Sequence, residues 1–328
     1  MNTIRVLSGA QIREAVSMKD IVSAVETAFI DLSTGCPEMP VRSHISISEP
    51  EGTALFMPSY MKQAEMIGIK TVTLFEENRT AGIPYIQGMV SLFDGKNGSP
   101  RALLDGTTIT ALRTGAASGL ASRLLARSKS SICAIFGAGV QGRTQLEAVC
   151  SVHAISQAFI FDFSTEASER FAREMGRLLQ IKVDVAASPG EAVGTADIIC
   201  TATNSDTPVF DDRDIRPGVH LNAVGSYKPH VQEIPVETVL RSRLFVDHRV
   251  SALEETGDLI IPISRKLMTA EHICAEIGEV AAGTVAGRRS DDEVTLFKSV
   301  GVAVQDLAAA AAILRRAEEL DIGTVVEL

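Results

Sequence analysis

The chain has 328 residues, 45% hydrophobic and 22% charged, which is the composition of an ordinary globular protein with room for two domains of about 150 residues. Its 31 Lys and Arg face 41 Asp and Glu, a formal charge of -10, so it lacks the basic field that nucleic acid or anionic lipid requires. Aromatic residues make up 5% and Trp is absent, which disfavours base-stacking platforms.

No segment approaches the roughly 18 consecutive apolar residues of a membrane span. The start of the chain is broken by Arg5, Arg13 and Glu14 before a signal-like core develops, so the expectation is a cytoplasmic protein with no membrane partner. Cys36, Cys133, Cys150, Cys200 and Cys274 are far apart and odd in number. They read as buried thiols rather than a disulfide framework or a zinc cluster. The six histidines show no paired spacing and predict no metal site.

Taken in chain order, Ser8 to Thr34 carries apolar residues at helical spacing, with Ser17 and Asp20 placed as a capping box. One or two amphipathic helices are expected there. From Met39 to Gly106 short alternating or apolar runs are punctuated by Gly, Pro and Asn, predicting an antiparallel strand region with its clearest hairpin turn at Gly95 to Gly98. Thr108 to Arg127 reads as a long helix, and the small residues Thr114 to Gly119 suit close backbone approach.

Beyond it the rhythm is strand then helix: ICAIF at 132–136, a helix to about Cys150, QAFIF at 157–161, a helix from Glu166 to Leu179, then KVDVAA, DIICTAT, HLNAVG and RLFVDH. Apolar strands alternating with amphipathic helices predict a doubly wound parallel sheet covered on both faces. After Val250 the pattern loosens until Val302 to Leu320, which reads as one helix.

Gly137, Gly139 and Gly142 form G-x-G-x-x-G between the strand 132–136 and a helix. In that context Gly137 permits a tight turn, Gly139 a phosphate approach at a helix N-terminus and Gly142 a helix-to-strand contact. Asp162 ends the second strand, where a carboxylate accepts hydrogen bonds from ribose hydroxyls and repels a 2′-phosphate. NAD is therefore favoured, with NADP kept open. Thr201 and Thr203, and Val224 with Gly225, close the fourth and fifth strands at the ends where ligands of such sheets bind.

LRTGAASGLAS at 112–122, GAGVQG at 137–142, HLNAVGS at 220–226, DDEVTLFKSVGVAVQD at 291–306 and the ending DIGTVVEL together resemble the ornithine cyclodeaminase/mu-crystallin family over essentially the whole chain. The resemblance implies an α/β protein in which a Rossmann domain, 114–301, is inserted into a smaller α+β substrate-binding and dimerisation domain, 1–113 plus 302–328. It also implies a homodimer and hydride transfer between a nicotinamide and the carbon of an amino or imino group beside a carboxylate.

By the same resemblance, Arg42, Lys70 and Arg113 contact substrate; a guanidinium offers a carboxylate a bidentate clamp and Lys a compact charge or proton source. Arg113 with Thr114, Val140 and Gln141 join the cofactor candidates, Ser299 lines the nicotinamide, and Val300 the substrate. Cyclodeaminases carry an acid/base Asp where this chain has Tyr227, and two further pocket positions hold Tyr85 and Val231. A phenol is a poor base at neutral pH. The departure favours reduction of a preformed C=N bond, with Lys70, Arg113 and Tyr227 as catalytic candidates and a small imino or amino acid as substrate. The expectation is an NAD(P)H-dependent reductase of a cyclic 2-imino carboxylate such as Δ1-pyrroline-2-carboxylate. The alternatives are an ornithine cyclodeaminase, an alanine dehydrogenase-like enzyme, and a mu-crystallin-like ligand-binding protein.

Overall fold

A computed structural model describes residues 3–35, 37–40 and 42–328, without the side chain of Arg79. Along the chain, β1 (Thr3–Leu7) leads to α1 (Gly9–Ala15), α2 (Met18–Ser33), β2 (Ser43–Ile47), β3 (Gly52–Met61), β4 (Met66–Phe75), α3 (Asn78–Ala81), β5 (Ile86–Asp94), β6 (Pro100–Asp105) and α4 (Gly106–Leu125). Then come β7 (Ile132–Phe136), α5 (Val140–Val152), β8 (Gln157–Phe161), α6 (Thr165–Leu179), β9 (Lys182–Val185), α7 (Pro189–Gly194), β10 (Ile198–Thr201) and β11 (His220–Ala223). The chain ends with α8 (Val236–Arg241), β12 (Arg243–Val246), α9 (Arg249–Glu255), α10 (Gly257–Ser264), β13 (Ile273–Glu276), α11 (Ile277–Ala281), β14 (Thr295–Lys298), α12 (Ala303–Glu319) and β15 (Thr324–Glu327).

Two compact units result, one of the described residues up to Arg113 with Ala303–Leu328, the other of Thr114–Val302. The boundary falls inside α4 and again just before α12.

In the first unit, the segment 8–34 makes two helices because Ser8 with Gln11 and Ser17 with Asp20 each form a capping box, starting α1 and then α2. The seven-stranded sheet runs β15-β1-β6-β5-β4-β3-β2. The alternation between 39 and 106 produces its antiparallel members β2 to β6, joined at the foreseen turn, where Gly98 N–H donates to the Asp94 carbonyl at 2.9 Å. The sheet is not purely antiparallel, however. β1, which the sequence reading missed, pairs parallel with β6 and antiparallel with β15. Helix α12 packs on α2 and on β3, β4 and β5, and its buried Ala308, Ala309, Ala310 and Ala312 allow close approach.

The second unit holds an eight-stranded sheet, β13-β12-β14-β11-β10-β7-β8-β9, parallel throughout. Both faces are buried, so successive residues enter opposite cores. Ile135 and Ile198 join Phe171 and Met175 on one side, while Phe136 and Ile199 join Leu221, Leu244 and Leu296 on the other. β7 lies where the order reverses, with β8 and β9 to one side and β10 and β11 to the other, which is the switch point at which open α/β sheets bind ligands.

Beyond Val250 the structure corrects the sequence reading. β14 is inserted between β11 and β12, and β13 forms one edge. Cys133 and Cys200 are buried as expected, Cys150 is half-buried, but Cys274 is exposed on β13; Cys36 lies outside the described residues. No helix among the described residues is long and apolar enough to cross a membrane.

The small residues of α4 serve close packing. A Cβ at Gly115 would lie 2.5 Å from the backbone oxygen of Thr144 on α5, so Gly115→Ala forces the two helices apart. The expected cost is about 1–3 kcal/mol of stability, read as a lowered melting temperature; an unchanged melt would contradict this packing.

Candidate functional site

In the second unit the site is built at the carboxyl end of the parallel sheet. β7 delivers the chain into Gly137, which has φ +99 and whose Cβ would meet the Ala202 carbonyl at 2.5 Å. Only glycine suits both demands. A Cβ at Gly142 would strike the Gly137 carbonyl, with the Ile135 side chain of β7 beyond it at 3.2 Å, so the residue serves the turn as much as the helix-to-strand contact. Gly139 is the N-cap of α5, has no side-chain cap, and nothing lies within 4 Å of where its Cβ would be. Val140 and Gln141 form the first turn of that helix. An open approach to a helix N-terminus fits a pyrophosphate.

Asp162 follows β8. Its Oδ2 accepts from Ala138 N–H at 2.8 Å and its Oδ1 from Ser164 N–H at 2.9 Å, fixing the carboxylate beside the glycine loop with acceptor capacity to spare. A cavity of about 490 Å³ opens here, lined by Gly137, Gly139, Asp162, Phe163, Thr203 and Pro208 among others. Its residues fit the adenosine half of a dinucleotide.

Thr201 and Thr203 stand at the end of β10, and their hydroxyls are engaged within the protein. Both donate to the buried carboxylate of Glu233, at 3.2 and 2.6 Å. Val224 and Gly225 follow β11, and Val224 N–H donates to the Thr201 carbonyl at 3.0 Å. Ser299 likewise turns inward: its hydroxyl donates to Asp247 Oδ2 at 2.7 Å, which also accepts from the N–H groups of Val300 at 2.9 Å and Gly301 at 2.7 Å. Thr114 offers its carbonyl to Gln145 Nε2 at 3.3 Å. Tyr227 is half exposed, with Lys228 Nζ 5.9 Å from its ring centroid.

In the first unit, Lys70 comes from the middle of β4 and Arg113 from α4, and both are buried on a residue the sequence reading missed. Asp306, in the first turn of α12, lies 2.6 Å from Lys70 Nζ and 3.1 Å from Arg113 Nε, while Arg113 also donates to Gln305 Oε1 at 3.0 Å. Burial pushes the Lys70 ammonium down to about 8; Asp306 opposes that, and the charges of Arg113 and Arg42 add to it. Arg42 is half-buried ahead of β2. One carboxylate shared by two cations leaves positive charge for an anionic ligand.

Asp306 closes the run 291–306 that carries the resemblance but had no role assigned to it, and Glu233 and Asp247 gave no motif in the sequence. The signal available was weak: each sits in an otherwise apolar or small-residue context, QDLAAAA, QEIP and FVDH. His220 is fully buried between Thr295 and Asn222, and burial brings its pKa to about 3, a structural role. His44 and His230 are exposed. No group of three His, Cys, Asp or Glu among the described residues could hold a metal ion.

The family model of the ornithine cyclodeaminase/mu-crystallin family matches residues 3–321. The chain is 38% identical over 323 residues to a Δ1-pyrroline-2-carboxylate reductase of Bacillus cereus, covering 98% of this chain and 99% of that protein. Among solved structures it matches the Δ1-pyrroline-2-carboxylate reductase of Thermococcus litoralis in complex with NADH and L-proline, with a TM-score of 0.93, 41% identity and coverage of 98% and 99% of the two chains. An archaeal alanine dehydrogenase dimer with bound NAD matches with a TM-score of 0.92 at 31% identity, over 99% of each chain. With a family match over nearly its whole length, this chain belongs to the ornithine cyclodeaminase/mu-crystallin family.

Proposed function

We propose that the protein is an NADH-dependent reductase of cyclic 2-imino carboxylates, with Δ1-pyrroline-2-carboxylate as substrate and L-proline as product. The observation that carries this reading is the buried cluster of Lys70 and Arg113 on Asp306, found in a chain whose relatives include reductases of that imine. Arg113 and Lys70, assisted by Arg42, hold the substrate carboxylate, because its charge replaces the balance that one Asp306 cannot supply. The glycine loop and Asp162 hold the dinucleotide, which when bound supplies a hydride to the imine carbon. Lys70 Nζ holds the proton that the ring nitrogen needs: with a pKa of about 8 it is charged at neutral pH yet gives the proton up more readily than an ordinary lysine. Tyr227 supplies no carboxylate base, which is why a cyclodeaminase reaction fits less well; its phenol serves to orient substrate.

A second copy of the chain is the proposed partner. Ile45 on β2 and Ile86 and Met89 on β5 are exposed on the first unit, as is Ile83 ahead of β5; a second copy would cover such apolar side chains, and a related alanine dehydrogenase is a dimer. Light scattering on the purified protein checks this, expecting twice the chain mass.

The reaction is tested by initial rates with NADH and NADPH against Δ1-pyrroline-2-carboxylate, its six-membered homologue, pyruvate with ammonia, and ornithine. The imines should oxidise NADH; ammonia release from ornithine, or failure with both imines, overturns the reading. Asp162→Ser removes the carboxylate that repels a 2′-phosphate, so the preference for NADH over NADPH should shrink by about tenfold or more.

The pH profile has a definite sign. The protonated form of Lys70 is the competent one, so kcat/KM, which reports the free enzyme, should fall as pH rises through about 8. Bound carboxylate favours the charged lysine, so the corresponding limb of kcat lies higher. Lys70→Met should lower kcat/KM by about 100-fold and abolish that limb. The same limb persisting in the variant assigns it to another group.

A further inference from the structure

We propose that Glu233, backed by Asp258 and Lys298, is the positioning centre of the nicotinamide half of the cofactor site. This rests on the NADH reading above. The adenosine half is marked by Asp162 after β8 and the cavity beside it. A dinucleotide whose pyrophosphate meets α5 therefore extends its other half across the switch point, over the carboxyl ends of β10, β11 and β14, which are consecutive neighbours in the sheet.

Those three strand ends are tied to one buried cluster. Glu233 Oε1 accepts from the N–H and hydroxyl of Thr203 at 2.7 and 2.6 Å, and Oε2 from Ser226 N–H at 3.0 Å and the Thr201 hydroxyl at 3.2 Å. The N–H groups of Glu233 and Ile234 donate in turn to Asp258 Oδ1, at 2.8 and 3.0 Å. Lys298, the last residue of β14, places its Nζ 2.9 Å from Asp258 Oδ2. Glu233, Asp258 and Lys298 are all fully buried. Between β10 and β11 the carboxylate passes where a side chain at Gly225 would stand, so a Cβ there would collide with both Glu233 oxygens.

The geometry demands an acid. Each oxygen of Glu233 accepts one backbone N–H, so a glutamine must aim its NH₂ at a backbone N–H whichever way its amide is turned. One buried donor is then left without an acceptor, and the loop that carries it must move. The effect falls on the loops after β10 and β11; Ser226 lies away from the adenosine cavity and Thr203 borders it, while the glycine loop and Asp162, which hold the adenosine half, keep their own bonds.

The test separates the two halves of the ligand by titrating the full chain with NADH and with ADP-ribose, which lacks the nicotinamide. In Glu233→Gln the NADH dissociation constant should rise by about tenfold or more, while that for ADP-ribose stays within about twofold. Thr201→Val removes one donor to Glu233 but keeps the acid. It should produce the same split at about threefold, and it carries the test should the glutamine variant not fold. Equal weakening of both ligands makes the cluster a scaffold for the whole fold and overturns the proposal, as does unchanged NADH binding. Failure of the wild-type chain to bind NADH instead sinks the cofactor reading and the proposal with it.

Discussion

Carboxylates hold the turns at the carboxyl end of the parallel sheet, Glu233 and Asp247 buried and Asp162 half-buried, and the shape of that end of the second unit depends on them. Where a strand ends, the ladder stops and the next backbone N–H groups need acceptors. Asp162 accepts from Ala138 and Ser164, Glu233 from Thr203 and Ser226, and Asp247 from His248, Val300 and Gly301. Glu233 and Asp247, both buried, replace water as partner and so let their turns be dry and rigid at once. Charge-assisted bonds of this kind are about twice as strong as neutral ones, and removing the acceptor strands several donors together.

Asp306 does the equivalent work in the first unit with side chains instead of backbone. Lys70 and Arg113, both buried, would repel one another and lose their hydration without it. With it they remain charged but incompletely neutralised. A buried ion pair is weak evidence for stability; on the function proposed above the imbalance is the useful property, because a ligand carboxylate would relieve it.

Much of this was legible in the sequence where local pattern and tertiary role agree. Ile132–Phe136, Gln157–Phe161, Met66–Phe75 and Ile86–Asp94 fall at the residues where the apolar or alternating runs begin and end. β14 escaped because its four residues include Thr295 and Lys298, polar groups made burial-competent by Arg288, Leu125, His220 and Asp258. β1 and β15 escaped because their partners are distant in sequence, β1 pairing with β6 and β15, and β15 with β1 across the length of the chain. Lys70 and Arg113 could be singled out by resemblance, whereas Glu233 could not be told from a solvated acid and Asp306, although it closes the run 291–306, had no role assigned to it. Cationic ligands of an anion follow from the chemistry of the substrate, but the acid that holds them follows only from packing. Thr201, Thr203 and Ser299 illustrate the same limit: their positions were anticipated, while their hydroxyls answer to Glu233 and Asp247.

A chain of formal charge -10 binding an anion presents no contradiction once distance is considered. At physiological ionic strength exposed charges are screened beyond about 8 Å, so the acidic surface contributes a weak, diffuse field. Lys70 and Arg113 are buried, where the effective dielectric is lower and a Coulomb interaction at about 4 Å is several-fold stronger than in water. The short-range term decides binding, and the long-range one acts mainly on encounter. An acidic balance of this kind disfavours a polyanion, whose many charges must all approach it, more than a single carboxylate, which needs only one favourable site.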